Sequence, residues 1–445
     1  MPGPNLLFVF ADQWRAQALA HAGDPNLATP NLDAFAASGV RFTNAVSNSP
    51  VCSPHRATLM TGLYPHLNGM VANDQCLAAN CPGPYLAECL GAGGHQTAYI
   101  GKWHIDGRGR RRFVPPERRL GFDLWRGFEC NHDYWDAPCY GDSPEPEILS
   151  GYESFAQVEL AHRFLAQQAR EPFALFLSWG PPHDPYGTAP GEFRARHRPE
   201  DVVLRPNVPA AAEAVARKEL AGYYAHCEAL DLAFGRLMAA LEETGHSRDT
   251  VVIFTSDHGD MLGSQGFFRK QRHYDESVLV PMLVRDPRRT LGPAAVEAPI
   301  STIDLMPTLL GLAGCEVPAR CQGRDWTPAI REGAAPPVDA ALLACHAPFH
   351  QYTTAKGGRA YRGVRTARHT YLRYIDGVRQ LFDNAADPYQ MRDLATSPEH
   401  AGLMAELESR LAALLEEARD PFEKPEELFR RWSVRLDAKG EVYYD

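Results

Sequence analysis

The chain has no Cys-x-x-Cys pair among its ten cysteines, which argues against zinc-ribbon and thioredoxin-like architectures. It has no apolar run near the length of a membrane span. Its start lacks a basic n-region, an apolar core and a small-residue cleavage site, so the expectation is a cytoplasmic protein with reduced thiols, or an exported one if a leader has been removed. Fixed-period repeats, heptads and low-complexity tracts are likewise missing. Positive charge is in deficit: the net charge is −10. That balance argues against nonspecific binding to nucleic acid or an anionic membrane, and an anionic substrate would need a local cationic pocket. Hydrophobic content of 44% and charged content of 22% over 445 residues are those of a globular protein.

What is present begins with Cys52-Ser53-Pro54-His55-Arg56, at the opening of a helical segment that continues through Ala57 to Gly62. A cysteine there meets unpaired backbone N–H groups and the positive end of a helix dipole, which lower a thiol's pKa. Two buried-strand runs deliver acidic residues at their carboxyl ends. Leu6 to Ala11 leads into Asp12-Gln13, and Thr250 to Ser256 leads into Asp257-His258. In open α/β sheets ligands bind beyond those ends, so the two carboxylates, with Gln13 and His258, suit one divalent cation.

Strand-like and helical segments alternate along the chain. Further strands are expected at Gln96 to Ile100 and Phe173 to Trp179. Helices are expected from Asn31 to Ser38, Phe155 to Ala169, Glu213 to Glu243 and Ser301 to Leu312. The predicted fold class is α/β: a large, mainly parallel sheet sandwiched by helices over residues 1–335. A smaller C-terminal α+β subdomain follows over 336–445, after the Pro/Gly-rich stretch 332–337. It is expected to hold short antiparallel strands, a final helix from Glu399 to Arg419 and a tail that packs on the body or on a second subunit.

Taken together, these motifs resemble the formylglycine-dependent (type I) sulfatase family of the alkaline-phosphatase superfamily. The signature Cys-x-Pro-x-Arg is matched by Cys52, Pro54 and Arg56. Gly101-Lys102-Trp103-His104 resembles the family's lysine and histidine beside the modified residue. Pro181-Pro182-His183-Asp184-Pro185 resembles its substrate-side histidine loop, and Lys270, thirteen residues beyond Asp257, its second lysine. Leu381-Phe382-Asp383 and Asp387-Pro388 look like the family's C-terminal strand and turn. The chain departs from the usual pattern at His55, where serine is common, and at Gln13, where a second aspartate is frequent.

The resemblance implies hydrolysis of a sulfate monoester by a hydrated formylglycine made from Cys52, with a formylglycine-generating enzyme as the maturation partner. It implies one metal ion held by Asp12, Gln13, Asp257, His258 and the modified Cys52. Calcium is the implied ion, with manganese as the alternative because His258 replaces a commoner asparagine. Arg56 would orient the nucleophile, and Lys102 and Lys270 would bind sulfate oxygens. His183 or Lys270 would protonate the leaving alcohol, and His104 would take the proton that releases sulfate. A phosphonate monoester or phosphodiester hydrolase on the same scaffold is the nearest rival, and a non-catalytic anion-binding protein the rival from another class. The basic run Arg108, Arg110, Arg111, Arg112, then Arg118 and Arg119, reads as a solvated loop, with a grip on a polyanionic substrate the lesser alternative because it follows His104 closely; His346 and His350 read as loop histidines, with a reach into the pocket the lesser alternative. The substrate class, a small-molecule or a saccharide sulfate ester, stays open at this stage, as does oligomeric state.

Overall fold

Alternate residues of the first strand, Asn5–Asp12, enter two different cores. Leu6, Phe8 and Phe10 pack on one side and Leu7, Val9 and Ala11 on the other, all fully buried. A strand with two apolar faces must be covered on both, and the chain supplies helices to each. Cys52–Thr61, Leu86–Ala92 and Thr302–Ala313 cover the first face. Pro30–Ala36, Glu153–Gln167 and the long Glu213–Glu243 cover the second. The computed structural model describes residues 3–168, 172–438 and 442–443; Ala169, the expected end of one helix, and the last residues of the tail lie outside them.

The central sheet has eight strands. Leu124–Phe128, Gln96–Lys102, Phe173–Pro182, Asn5–Asp12 and Thr250–Ser256 are adjacent and parallel. Met282–Arg285 then runs antiparallel to its neighbours, and the short Val40–Phe42 and Ala294–Val296 complete the edge. These short strands, and a hairpin of Trp135–Cys139 with Glu147–Tyr152, carry too few residues for a periodic signal in the sequence.

A second sheet is antiparallel, in the order Ala340–Cys345, Tyr361–Thr366, His369–Tyr374, Arg379–Asp383. Leu342, Val364, Tyr371 and Leu381 meet the helix Ala401–Ala418 through Leu407, Leu411 and Leu415. The alternate residues Leu343, Tyr361, Leu372 and Phe382 pack against Val46, Val278 and Leu279 of the main body. The tail folds back on the same chain: Val442 is buried with Val51, Ala72 and Phe349, and Phe429 packs against them.

Gly101 shows how closely the central strands approach just before Lys102. Its φ is +110°, and a Cβ there would lie 2.0 Å from the Ser178 carbonyl oxygen of the neighbouring strand. Gly101→Ala is therefore expected to lower stability by about 2 kcal/mol or more, read as a fall in the urea unfolding midpoint at unchanged m-value.

Candidate active site and metal centre

Four contiguous parallel strands end on one edge of the central sheet, and each leaves a polar side chain there. Asn5–Asp12 ends in Asp12 and continues to Gln13. Gln96–Lys102 ends in Lys102, Phe173–Pro182 is followed by His183, and Thr250–Ser256 by Asp257 and His258. Neighbouring strands lie about 4.8 Å apart, so residues remote in sequence are forced into contact distance.

The helix Cys52–Thr61 approaches this edge with every residue buried. Cys52 and Arg56 are four apart and share a face. Arg56 Nη2 donates to Asp12 Oδ2 and to Asp257 Oδ2, at 3.1 Å each, while Nη1 donates to the Lys102 carbonyl and to Ser178 Oγ at 2.8 Å. One guanidinium thus ties the ends of four strands to the helix. Lys102 Nζ adds a 2.7 Å bond to Asp12 Oδ2. The N–H of Ser53 at the helix start donates to Asn73 Oδ1, and Ser53 Oγ to the His104 carbonyl.

Cys52 Sγ lies 3.2 Å from His258 Nε2, 3.3 Å from Lys270 Nζ and 3.7 Å from Asp12 Oδ1. Burial and Asp12 push its thiol pKa up, but Lys270, Lys102 and His258 prevail, and the group titrates well below the usual thiol range. Lys270, in a basic run where it might have been one more solvated charge, is buried and also donates to Gln13 Oε1 at 2.9 Å. Gln13, at φ 73°, has its amide nitrogen tied to Asp260 Oδ2 and Tyr186 Oη, which fixes its oxygen on the Lys270 side. Tyr186 and Asp260 carried no signal in the sequence beyond their closeness to Pro185 and His258.

Asp12, Cys52, Asp257 and His258 each turn one ligand atom into a common space, all within 4.8 Å of one another. His258 Nδ1 faces the Gly259 carbonyl at 2.9 Å, which leaves Nε2 free to face Asp257 Oδ1 at 3.5 Å and Asp12 Oδ1 at 3.7 Å. Such separations suit ligands sharing one ion at roughly 2.1–2.4 Å. The electrostatics agree. Asp12 is fully buried, which opposes ionisation, yet Lys102, His183, Lys270 and Arg56 hold it well below the carboxylate range. Asp257 is raised, by burial and then by Asp12. Two facing carboxylates of this kind are relieved by a divalent cation between them.

A cavity of about 410 Å³ opens above Cys52, walled by Lys102, His104, His183, Asp184, Arg269 and Lys270. His183 Nδ1 lies 2.9 Å from the Asp184 carbonyl, and its ring stacks on His132 with centroids 4.4 Å apart. Burial first, then Lys270 and His132, hold His183 well below the usual imidazole range, so the resting ring is neutral. His104, at φ 61°, lies with Nε2 3.4 Å from Asp74 Oδ1. Burial opposes its charge, but Cys130 and the Asp74 carboxylate raise it well above the usual range.

One expectation needs correction. His350 does line this cavity, because the second sheet's packing brings the loop after Cys345 over Gln271, which is bonded to the Phe349 backbone. His346 does not; it lies against His66 and Asp420 at the base of that sheet. The unusual His55 sits on the core side of its helix, with Nδ1 3.0 Å from Thr302 Oγ1. Burial takes its pKa down to about 3, so it is a neutral packing residue.

The sulfatase profile matches residues 4–315, and a second, described as the C-terminal part of N-sulphoglucosamine sulphohydrolase, matches residues 263–417. The chain belongs to the sulfatase family. An ulvan-active sulfatase of Formosa agariphila is 42% identical over 442 residues, 97% of this chain and 84% of that protein. A solved Bacteroides thetaiotaomicron protein, described in connection with glycosaminoglycan metabolism, superposes with a TM-score of 0.86 at 27% identity, covering 96% of this chain and 98% of its own. The rival phosphonate reading has only a distant neighbour. The phosphonate monoester hydrolase of Agrobacterium radiobacter superposes with a TM-score of 0.75 at 23% identity over 99% and 100% of the chains, a likeness of fold alone. The sulfatase is thus a hydrolase of sulfate esters on the alkaline-phosphatase superfamily fold. Among the described residues, no helix is long and apolar enough to cross a membrane.

Removing the guanidinium that this sulfatase buries between Asp12 and Asp257 takes away the one cation the two carboxylates share and leaves Lys102 on Asp12 alone. In metal-free protein Arg56→Met is expected to cost about 3 kcal/mol, measured by urea unfolding, with part of the loss regained on adding a divalent cation.

Proposed function

We propose that the sulfatase cleaves a sulfate monoester with a formylglycine made from Cys52, beside one divalent metal ion held by Asp12, Gln13, Asp257 and His258. The observation that carries this is the position of Cys52 Sγ. It touches His258, Lys270 and Asp12 at once, at the N-terminus of a helix whose Arg56 clamps both carboxylates. Formylglycine at this position would supply, as its hydrate, one oxygen for attack on sulfur as the bond to the alcohol oxygen breaks, and a second hydroxyl whose loss of a proton would let the carbon–oxygen bond to sulfate break as the aldehyde re-forms. The metal, when bound, neutralises the charge that develops on the nucleophile and on the sulfuryl oxygens.

Metal choice follows from maturation. The side chain of Cys52 as encoded offers soft sulfur; converted, it offers oxygen. With oxygen in that place, the set of two carboxylates, an amide oxygen and one imidazole suits calcium or manganese, whereas the thiolate set favours zinc.

The remaining groups divide the work by protonation state. Lys102 and Lys270 face the cavity as donors for sulfate oxygens. The neutral His183 turns Nδ1 to the Asp184 carbonyl, so its Nε2 is an acceptor in the resting site. Lys270, already hydrogen-bonded to Cys52 Sγ, is then the group equipped to hand a proton to the leaving alcohol oxygen. His104, held by Asp74, takes the proton that frees sulfate, and it does so only in its neutral form.

Two experiments test this reading. Protein produced with a formylglycine-generating enzyme should lose the thiol mass at the Cys52 peptide and gain aldehyde reactivity, with activity tracking that conversion across preparations. Cys52→Ala should then have no turnover, and Cys52→Ser should stop after one transfer, with a sulfuryl group left on the serine by mass spectrometry. An unconverted Cys52 in fully active protein would refute the proposal. Secondly, because Cys130 is the chief partner raising His104, Cys130→Ser lowers the His104 pKa and populates its basic form at lower pH. The acidic limb of the kcat–pH profile should therefore move toward lower pH, whereas a limb that stays in place removes His104 from the base role.

A further inference from the structure

The basic run after His104 keeps Arg108, Arg111 and Arg112 exposed, as expected of a solvated loop. Its backbone is anchored, since the Cys130 N–H donates to the Arg110 carbonyl and Tyr140 Oη to the Arg111 carbonyl, both at 2.9 Å. A turn closes within it, from the Arg112 N–H to the Gly109 carbonyl at 3.1 Å. So held, Arg108, Arg110, Arg111 and Arg112 line a cavity of about 720 Å³. Arg110, Cys130 and His132 line both this cavity and the one above Cys52, so the two adjoin.

Charge in this cavity is in excess. Arg110 is paired with Asp74 and Arg111 with Asp133, at 2.8 and 2.7 Å. Arg108 and Arg112 are exposed and, among the described residues, have no carboxylate within ion-pair distance. Four guanidinium groups against two carboxylates, in a chain of net charge −10, concentrate positive potential beside the reacting centre. The wall is completed by Tyr443, 45% exposed, which the bridge between Leu436 and Val442 holds in place. A half-exposed aromatic ring beside forked cations fits a sugar, whose C–H face stacks on the ring while its sulfate or carboxylate takes the guanidinium fork.

We infer that this arginine cavity is a second anion subsite, holding a further sulfate or carboxylate of a saccharide chain whose reacting sulfate lies over Cys52. The inference rests on the sulfatase reading above and assigns it a polyanionic substrate. Arg108 and Arg112 are the anion-binding residues and Tyr443 the stacking platform. Arg110 also braces Asp74 and through it His104, which makes it unsuitable as a probe.

The test uses matured full-length protein, 4-nitrophenyl sulfate as the small ester and dextran sulfate as a polyanionic inhibitor. In the double variant Arg108→Ser/Arg112→Ser, the inhibitory concentration of dextran sulfate should rise about tenfold more than KM for the small ester. Added salt should weaken inhibition of the parent protein more steeply than of the variant. Arg163→Ser, on the Glu153–Gln167 helix, should leave inhibition as in the parent. Equal changes in inhibition and KM, or an equal loss with Arg163→Ser, overturn the subsite. Failure of matured protein to hydrolyse any sulfate ester overturns the sulfatase mechanism instead, and direct binding of dextran sulfate to parent and double variant then still decides the subsite.

Discussion

The site depends on one buried arrangement of charge: a single guanidinium nitrogen of Arg56 shared between Asp12 and Asp257. Those two carboxylates end adjacent parallel strands and are fully buried, so each raises the cost of ionising the other. The fold offsets that repulsion from three directions, with Arg56 from a helix, Lys102 from the next strand but one, and Lys270 from the loop beyond Asp260. Breaking such an arrangement costs more than any one pair contributes, because a charge left alone in a dry interior has nothing to replace its water.

The same arrangement explains why the reacting side chain sits where it does. A thiol inside a hydrophobic core is inert; here the cationic groups more than cancel the effect of burial, and the pKa falls. The features that favour an anionic thiol also favour any anionic oxygen at that position. On the mechanism proposed above, a sulfuryl group would meet fixed donors that need not reorganise during the reaction. His104 and His183 show environment dividing labour between two identical residue types. Cys130 and Asp74 raise the first, while burial, Lys270 and His132 depress the second.

Outside the centre, the chain gathers cations locally against an overall acidic balance. Its acidic balance holds for the molecule as a whole, while the cations that face the cavities come from short stretches, 102–112 and 269–270. Field lines from such a patch, bounded by low-dielectric walls, act where an anion must enter and fade within a Debye length elsewhere.

The sequence by itself determined which strands lie at the centre and which chemistry their ends carry. Runs such as Leu6 to Ala11 and Val251 to Phe254 are apolar at every position, a pattern that burial on both faces accounts for. The Cys-x-Pro-x-Arg spacing puts Cys52 and Arg56 on one face of a helix. Only the tertiary structure decided the rest. The Met282–Arg285 strand runs antiparallel, and the hairpin at Trp135–Cys139 exists, through pairing partners that no local period announces. His350 enters the cavity and His346 does not, because the second sheet docks its loop in one orientation. The arginines at 108–112 form a cavity wall because Cys130 and Tyr140 anchor their backbone. Local sequence reports propensity and periodicity, which are short-range properties. Which side chains share a cavity depends on contacts between residues scores apart, and those form only once the whole chain has packed.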